Sequence, residues 1–436
     1  MKRFLQAAAR SKQVDLEAWE NYLRRAVLSA GAGELERLLD GVGSGRSTQS
    51  VVCECGRVMK SVGRRSKKIK TILGPVRFAR SLYVCKGCGA SRFPGDELLG
   101  IEGTSFSPGA RRMMARAGSR SSFAEAEEDL RIYANLDVDR KDIERTAEQV
   151  GARIAEWMDQ QHTQALEEAR HIQWPEDEPE IPNMYVSFDG TGLAMRRAEL
   201  TGRAGKQPDG SAKTREVKLG CVFTQTSLDK EGKPIRDPAS TTYTGAIQSS
   251  DEFGWRIYAE ALTGGLERAR RVVVITDGAA YNKSIVEEHF PQAIHIIDLY
   301  HAREHLHDLT ALLFPDEKKR EGREQEWLNL LDDGLIQELI AQATKHLPRS
   351  GKRRKDARKE IEYFRKHTEQ MRYGEFRSQG LFVGSGVVEA GCKSVIGARL
   401  KRSGMFWSVA GANAIIASRC CQYSGRFEQF WEDMAG

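Results

Sequence analysis

Hydrophobic and polar positions alternate along the chain with periods that change from region to region. Over residues 13–40, apolar side chains recur at the three- and four-residue spacing of an amphipathic helix. The positions on that face are Leu16, Trp19, Leu23 and Val27. Residues 41–50, GVGSGRSTQS, have the composition of a linker. The pattern therefore predicts an N-terminal helical segment within residues 1–45.

A β-hairpin with cysteines at both ends is predicted next. Two β-like runs, residues 67–73 and 76–84, are joined by Gly74-Pro75. Four cysteines around a short hairpin are typical of a structural Zn²⁺ ribbon in a reducing compartment. The first pair is spaced Cys-x-Cys, one residue short of the common spacing, so ordinary buried thiols remain an alternative. We predict a zinc-ribbon domain over residues 46–100. Its ligands would be Cys53, Cys55, Cys85 and Cys88.

A helix, a short turn and a second helix are predicted over residues 121–151. Apolar side chains line one face of each helix, and Asp137 or Asp139 can cap the second. This pattern fits a helix-turn-helix, whose second helix can enter the major groove of DNA, although such pairs also occur in plain helical bundles. We assign residues 101–172 as a helix-turn-helix DNA-binding region. The acidic, proline-containing residues 173–183 then form a predicted linker.

The pattern changes to short apolar runs after the linker. Strands are predicted over 184–190, 193–200 and 215–226, followed by a helix over 252–268, a strand over 271–278, a helix over 279–290 and a strand over 293–301. This order of elements is typical of an RNase H-like mixed sheet. The predicted fold class is therefore α+β and multidomain. Its catalytic core would cover residues 184–436, after the zinc ribbon and the helix-turn-helix.

Composition narrows the class of protein. The 436 residues are 40% hydrophobic and 29% charged, which is ordinary for a globular protein. No apolar run approaches the roughly 18 residues that span a bilayer, and the start of the sequence lacks a secretory signal. These features predict a cytoplasmic protein with reduced cysteines and no membrane partner. The remaining four cysteines, among them Cys392, lack ligand spacing and are predicted to be small core residues.

Positive charge is concentrated in two stretches, although the net charge is only +6. Residues 53–92 contain eleven Lys or Arg and one acid, and residues 349–359 contain seven and one. A basic run is often only a solvated face. Two runs, one of them beside the predicted metal site, favour a polyanionic partner. The hairpin residues predicted to contact DNA are Arg64, Arg65, Lys67 and Lys68.

Two aspartates, Asp189 and Asp277, each end a predicted strand and are followed at once by glycine. Strand-end carboxylates from neighbouring strands can hold two divalent cations about 4 Å apart, which suits in-line displacement at phosphorus. Mg²⁺, or Mn²⁺ in its place, prefers such oxygen ligands. Glu389, in the first turn of a predicted helix, supplies a third carboxylate. Basic residues near it are predicted to contact DNA phosphates: Lys393, Arg399, Lys401 and Arg402.

Four ordered blocks resemble those of ISKra-type insertion-sequence transposases, bacterial DDE enzymes related to the Mutator-like group. The blocks are DGTG (189–192), TDGAAY (276–281), DLYHAREHL (298–306) and GSGVVEAGCKSVIGARLKRSGMFWS (384–408). The resemblance runs through most of the chain and includes the cysteine-flanked hairpin. It implies that Asp189, Asp277 and Glu389 form the catalytic triad. Asp298 and His301 match the [C/D]-x-x-H signature after the second aspartate of such enzymes, and we add them to the candidate catalytic residues.

The resemblance also implies a substrate, partners and an insertion. Such an enzyme binds double-stranded DNA at the terminal repeats of its element, cuts it with Mg²⁺ and transfers strands to target DNA. A homodimer in a synaptic complex and an association with the bacterial nucleoid are expected. The long interval between Asp277 and Glu389 implies an α-helical insertion at about residues 306–380.

Two other functions stay open. Residues 301–305 spell H-x-x-E-H, the inverted zinc-peptidase motif, in which His301 and His305 would bind zinc and Glu304 would be the general base. That interpretation leaves Asp189, Asp277 and the basic stretches unexplained. The second alternative is a domesticated DNA-binding regulator, derived from a transposase, whose catalytic centre is dispensable.

Overall fold

The computed structural model describes residues 15–41, 50–169, 180–205, 207 and 210–434, and the chain divides into two compact units. The units are residues 1–147 and 148–436. Of the two predicted linkers, residues 42–49 and 173–179 lie outside the described residues, as does the predicted N-terminal segment up to residue 14. The second linker ends earlier than predicted, because a strand already begins at Ile181.

The first unit contains a helix and a three-stranded antiparallel sheet. Helix α1 is Leu16–Gly41, and the strands are β1 (Lys60–Thr71), β2 (Gly74–Val84) and β3 (Ser91–Arg92). Gly74 adopts a φ of 124° at the tight β1–β2 turn, a conformation that favours glycine. Side chains from both elements form a small core: Ala32, Ile69, Val76 and Phe78 with Ile101. The predicted hairpin is therefore present.

Four helices complete the first unit. They are α2 (Pro94–Leu98), α3 (Pro108–Arg120), α4 (Phe123–Ala134) and α5 (Arg140–Glu168), whose C-terminal part belongs to the second unit. A capping box between Ser122 and Glu125 begins α4, and Asn135 ends it in the left-handed conformation. The Asp139 carboxylate accepts a hydrogen bond from the Lys141 backbone N–H at 2.7 Å. Two consecutive helices thus lie where the sequence predicts them.

The second unit is built on a mixed five-stranded sheet. Its strands are β4 (Ile181–Ala194), β5 (Thr214–Gln225), β8 (Thr242–Ala246), β9 (Ala269–Thr276) and β10 (Ile294–Ile297), and a separate ribbon pairs β6 (Ser227–Leu228) with β7 (Pro234–Ile235). The strand order is β10-β9-β4-β5-β8. Strands β4, β5 and β8 pair antiparallel, whereas β9 is parallel to both β4 and β10.

One strand prediction is wrong. Residues 193–200 do not form a strand of their own, because β4 continues to Ala194 and a 3₁₀ turn follows at Arg197–Leu200. The third strand of the sheet is instead Thr242–Ala246, a segment that the sequence pattern did not indicate. The order of three strands, helix, strand, helix and strand is nevertheless the predicted one.

Helices pack on the sheet and connect its parallel strands. Helix α6 (Ser250–Thr263) precedes β9, and helix α7 (Ala280–His289) connects β9 to β10. Apolar side chains of β4 and β9 meet these helices in the main core, where Phe188 and Phe253 contact edge to face at 5.9 Å. On another part of the sheet Tyr185 stacks on Phe223 at 4.9 Å. Burial of this apolar surface stabilises the packing of the helices on the sheet.

Helices occupy the region where an insertion was expected. They are α8 (Leu299–Leu313), α9 (Glu317–Asp332), α10 (Ile336–Lys345), α11 (Lys352–Lys366) and α12 (Tyr373–Ser378), with 3₁₀ turns at Leu266–Arg268 and Thr368–Met371. After them come α13 (Gly386–Gly391), a π-helical turn (Cys392–Gly397), α14 (Ala398–Leu400), α15 (Val409–Tyr423) and α16 (Phe427–Asp433). Within the described ranges, no helix combines the length and apolar character needed to cross a membrane.

Candidate active site

Asp189 lies within β4, and Asp277 comes directly after the end of the adjacent parallel strand β9. The last paired residues of β4 and β9 are Ser187 and Ile275. Each aspartate follows its paired residue by two positions, and side chains two residues apart on a strand share a face. The two aspartates therefore lie side by side at the edge of the sheet where β9 ends. The prediction that each aspartate ends a strand holds for Asp277 but is wrong for Asp189, because β4 continues past Gly190 to Ala194.

Asp189 is held by contacts to both of its carboxylate oxygens. Oδ1 accepts the backbone N–H of Gly190 at 2.6 Å, and the Cys392 thiol donates to Oδ2 at 3.7 Å. Burial, and then the charge of Asp277, raise the pKa of Asp189 above its ordinary value of 3.8. The site thus places negative charge where it is electrostatically unfavourable, and a bound cation would relieve that repulsion.

Asp277 is oriented by the helix that follows it. Its Oδ1 accepts the backbone N–H of Ala279 at 2.9 Å and the side-chain amide of Asn282 at 2.5 Å. Gly278 adopts a φ of 86°, which permits the sharp turn from β9 into α7. Asn282 is fully buried, so the amide has a fixed direction. These contacts preset the orientation of the carboxylate.

Glu389 approaches the same edge on helix α13. Cys392, three residues further along, contacts Asp189, which places one face of this helix next to β4. Gly391 allows the close approach, because a Cβ there would lie 2.6 Å from the Tyr243 ring and 3.3 Å from Leu219. Lys393 lies 3.9 Å from Glu389 but is mostly exposed. Glu389 itself is half-buried, with a carboxylate that solvent reaches.

The three carboxylates are not a tight single-ion cluster. Among the described residues, only the four cysteines of the first unit form a group of three or more His, Cys, Asp or Glu whose ligand atoms all lie within 4.8 Å. Two cations about 4 Å apart, each about 2.1 Å from its ligands, need carboxylates that are up to about 8 Å apart. In this structure the three carboxylates are therefore not arranged to bind one ion together.

The basic residues after Glu389 divide into two groups. Lys401 donates a hydrogen bond to Thr191 Oγ1, next to the Asp189-Gly190 pair, and Arg402 is exposed. Arg399, predicted to contact DNA, is instead fully buried, with its guanidinium 5.1 Å from the Trp407 ring centroid. A buried guanidinium cannot reach a phosphate in this conformation. We therefore assign Arg399 a packing role.

The buried carboxylate of Asp298 connects two segments of the chain. One carboxylate oxygen accepts the backbone N–H of His301 at 2.7 Å and so caps helix α8, and the other accepts the backbone N–H of Ser385. The side chain is 1% exposed. Asp298 thus positions the loop that leads to Glu389. His301 is partly exposed and close enough for its charge to lower the pKa of Asp189, against the larger effect of burial.

The H-x-x-E-H motif does not assemble a zinc site. His305 directs Nδ1 to Glu360 Oε2 at 2.6 Å, and its ring stacks on Tyr363 at 3.7 Å. The His301 and His305 rings lie 4.9 Å apart at an angle of 85°. Neither histidine belongs to a three-ligand cluster among the residues that the structure describes. Glu304 points into solvent, with its side chain 77% exposed.

Three further residues border the site and were missed at the sequence level. Glu216 and Lys218 on β5 form an ion pair at 2.6 Å, and the Lys218 ammonium lies 5.2 Å from the Tyr281 ring centroid. A Cβ at Gly190 would lie 2.4 Å from Glu216 Oε1 and 2.9 Å from the Tyr281 hydroxyl. The signal in the sequence was the charged pair inside the otherwise apolar run of β5. Glu216 adds a fourth carboxylate beside Asp189.

The four predicted zinc ligands come together in the first unit. Cys53 and Cys88 Sγ atoms are 3.5 Å apart, as are those of Cys55 and Cys85. A tetrahedral zinc with Zn–S distances of about 2.3 Å has sulfur–sulfur distances of about 3.8 Å, so the cluster could bind a structural metal such as zinc. The backbone N–H groups of Cys88 and Gly87 lower the pKa of the Cys85 thiol to about 6. The short Cys-x-Cys spacing is no obstacle.

The hairpin lysines and arginines also divide by exposure. Arg64, Arg65 and Lys68 are exposed on β1. Lys67 is directed inward instead, where its ammonium binds the Asp96 carboxylate at 2.9 Å and the Ile101 carbonyl at 2.7 Å. Lys67 was predicted to contact DNA, but its ammonium group is already bound to these two internal partners.

No protein-family model matches this chain, and no curated protein matches its sequence.

Proposed function

We propose that this chain is a DNA transposase that cuts DNA strands and transfers them to a target. The observation that carries the proposal is the placing of Asp189, within β4, beside Asp277, directly after the parallel strand β9, with the Glu389 helix packed at the same edge. Further support comes from the sheet, whose element order and strand directions are those expected of an RNase H-like core. The four sequence blocks that resemble ISKra-type transposases meet around this edge.

The carboxylates suit two hard divalent cations, Mg²⁺ or Mn²⁺. Asp189, Asp277 and Glu389 would hold them. Buried, mutually repelling carboxylates are a donor set that favours such ions. When bound, the cations would activate the attacking hydroxyl of water or of a DNA 3′ end and stabilise the leaving oxygen.

Side chains of the chain itself would orient the reaction. Gly190 and Cys392 fix the Asp189 carboxylate, and Ala279 and Asn282 fix that of Asp277. Lys401, held beside the site at Thr191, would meet a phosphate of the DNA backbone. These groups are ordered before substrate arrives, which lowers the reorganisation that the reaction requires.

In this proposal the first unit recognises DNA. The cysteine cluster would hold Zn²⁺ as a structural ion, and the exposed Arg64, Arg65 and Lys68 would contact phosphates. Helices α4 and α5 would act as a helix-turn-helix on the terminal repeats of the element. Two copies would bring two DNA ends together as a homodimer, in the bacterial cytoplasm at the nucleoid.

The test is Mg²⁺-dependent cleavage of DNA that carries the flanking sequences of the gene. Wild type should cut this DNA, whereas Asp277→Asn and Glu389→Gln should lower the rate by at least about a hundredfold, because each removes a metal ligand. DNA binding should remain in both variants. Glu304→Gln is the matched control, since it removes an exposed acid of the H-x-x-E-H motif and should leave cleavage intact.

Two results would overturn the proposal. Wild type that binds these DNA ends but cuts nothing with Mg²⁺ or Mn²⁺ would favour the regulator. Cleavage of a peptide that is lost in Glu304→Gln but kept in Asp277→Asn would favour the peptidase.

A further inference from the structure

The turn at Asp277-Gly278 is contacted from outside the sheet by helix α11. The Tyr363 hydroxyl donates a hydrogen bond to the backbone carbonyl of Asp277 at 3.4 Å. A Cβ at Gly278 would lie 3.3 Å from Tyr363 Cε2, so the tyrosine ring lies directly against the backbone of the turn. Gly278, which has a left-handed φ, is therefore covered by a side chain that lies more than 80 residues later in the sequence.

Tyr363 is itself held in place by a stack. The His305 ring lies parallel to it, with ring centroids 3.7 Å apart and planes inclined by 22°. Glu360, one turn before Tyr363 on α11, binds His305 Nδ1 at 2.6 Å. Helix α8, which carries His305, follows β10 directly. The stack and the hydrogen bond thus hold α11 against α8, the helix that follows β10.

A second side chain, directly after the end of α11, packs against the same turn. His367, four residues after Tyr363, is 5% exposed, and a Cβ at Gly278 would lie 3.4 Å from its Nε2. Burial lowers the pKa of His367 to about 4, so the ring is neutral at physiological pH. Its ring packs against the backbone of Gly278.

We propose that Tyr363 is a positioning residue through which the helical insertion sets the direction of the Asp277 carboxylate. The carboxylate accepts the N–H of Ala279 within the same turn, so a shift of the turn moves the oxygen atoms with it. The effect of Tyr363 on the backbone of the turn is inferred from the contacts of its side chain alone. The effect on metal binding and DNA cleavage rests on the function proposed above.

The first measurement is hydrogen–deuterium exchange over residues 276–283 without metal or DNA. Tyr363→Phe removes the hydroxyl and keeps the ring stack, and it should speed exchange of these amides about fivefold, the effect of losing one hydrogen bond. Tyr258→Phe is the matched control, because it removes a hydroxyl on α6 from a ring that contacts His289 and Phe290, at the other end of α7. It should leave exchange in this segment unchanged.

The second measurement is Mn²⁺ binding, followed by electron paramagnetic resonance. Asp277→Asn should abolish binding at the site, and Tyr363→Phe should weaken it severalfold while circular dichroism and DNA affinity stay at the wild-type level. Cleavage by Tyr363→Phe should fall in parallel and should recover partly at high Mn²⁺ concentration. A residue with only a packing role would not change the metal dependence.

The outcomes separate this inference from the proposed function. Unchanged exchange in Tyr363→Phe overturns the inference, whatever the activity of wild type. Faster exchange with unchanged Mn²⁺ affinity and cleavage overturns the positioning of the carboxylate. Faster exchange in a protein whose wild type binds no Mn²⁺ and cuts no DNA supports the contact with the turn and removes the proposed function.

Discussion

The carboxylate of Asp298 accepts a hydrogen bond from the backbone N–H of Ser385, a residue 87 positions later in the chain. The same carboxylate caps helix α8 at His301. One buried side chain thus connects the last strand of the sheet, the first helix of the insertion and the loop that leads to Glu389. The connection explains how Glu389 reaches the sheet after so long an intervening segment.

Asp298→Asn should destabilise the protein and impair the site together. Asparagine keeps one acceptor oxygen but presents an N–H₂ group to a second backbone N–H, which leaves a buried donor without a partner. The expected loss in free energy of unfolding is about 1–3 kcal/mol, measured by urea denaturation. Cleavage should fall more than DNA binding does.

Asp308→Asn on the same helix is the control, since this carboxylate is exposed and its replacement should be neutral. An Asp298→Asn variant as stable and as active as wild type would contradict the positioning role.

Asp189→Asn should stabilise the metal-free protein above pH 4. Burial and Asp277 raise the folded pKa of Asp189 above 3.8, so the protonated form is the one that favours folding. That contribution is complete below the ordinary pKa and is lost as the pH rises through the folded pKa. Urea denaturation from pH 4 to pH 7 should therefore show wild type losing stability relative to Asp189→Asn.

Mg²⁺ should reverse this order. A ligand at 100 times its dissociation constant stabilises the folded state by about 2.7 kcal/mol. At saturating Mg²⁺, wild type should gain stability and Asp189→Asn should gain little. If added Mg²⁺ stabilised both proteins equally, Asp189 would not be a ligand.

Removing zinc should unfold the first unit and spare the second. Structural zinc contributes strongly to folding in small domains, about 10–16 kcal/mol in zinc-finger peptides. Cys88→Ser, or a chelator, should abolish one equivalent of bound zinc, measured by elemental mass spectrometry. Calorimetry should then lose one thermal transition and keep the one that belongs to residues 148–436.

Cys421→Ala serves as the control, because this buried thiol lies outside the cluster and its loss should leave the zinc content unchanged. If wild-type protein contains no zinc and melts identically with and without chelator, zinc has no structural role in the first unit.

Neutralising Lys67 and neutralising Lys68 should change different properties of the protein, although the two residues are neighbours. Lys68→Gln should lower the slope of log affinity against log salt by about 1 without a change in stability, because the side chain is exposed and can contact one phosphate. Lys67→Gln should instead lower the free energy of unfolding by about 1–3 kcal/mol, since it removes two internal contacts. DNA titrations at several salt concentrations and urea denaturation distinguish the two. Equal effects on the salt slope would contradict the assignment of Lys67.

The sequence carried local signals for much of this structure. The apolar run before Asp277 predicts β9, and Gly278 predicts the turn that follows it, whereas no turn follows Asp189, because β4 continues to Ala194. The alternation of strands could also have separated the two lysines, because Lys67 shares a face with the buried Ile69. In each case the information lies within a few residues of the feature it predicts.

Other features depend on contacts between distant residues and have no local signal. The third strand, Thr242–Ala246, is a five-residue segment without alternation, and its pairing with β5 defines it. His305 meets Glu360 across 55 residues. Cys392 was predicted to be an ordinary core thiol, yet it contacts Asp189, because the sequence does not reveal which way the helix after Glu389 turns.

That helix contains the π-helical turn Cys392–Gly397, which holds one residue more than a regular α-helix would. Each residue of an α-helix rotates the chain by about 100°. The turn therefore accommodates one more residue between Glu389 and Lys401 while the helix that follows keeps its direction. If the same residues formed a regular α-helix, Lys401 would be rotated by about 100°, a little more than a quarter of a circle, relative to Glu389. The alignment of Lys401 with Thr191 thus depends on the π-helical turn as well as on the chemistry of the two side chains.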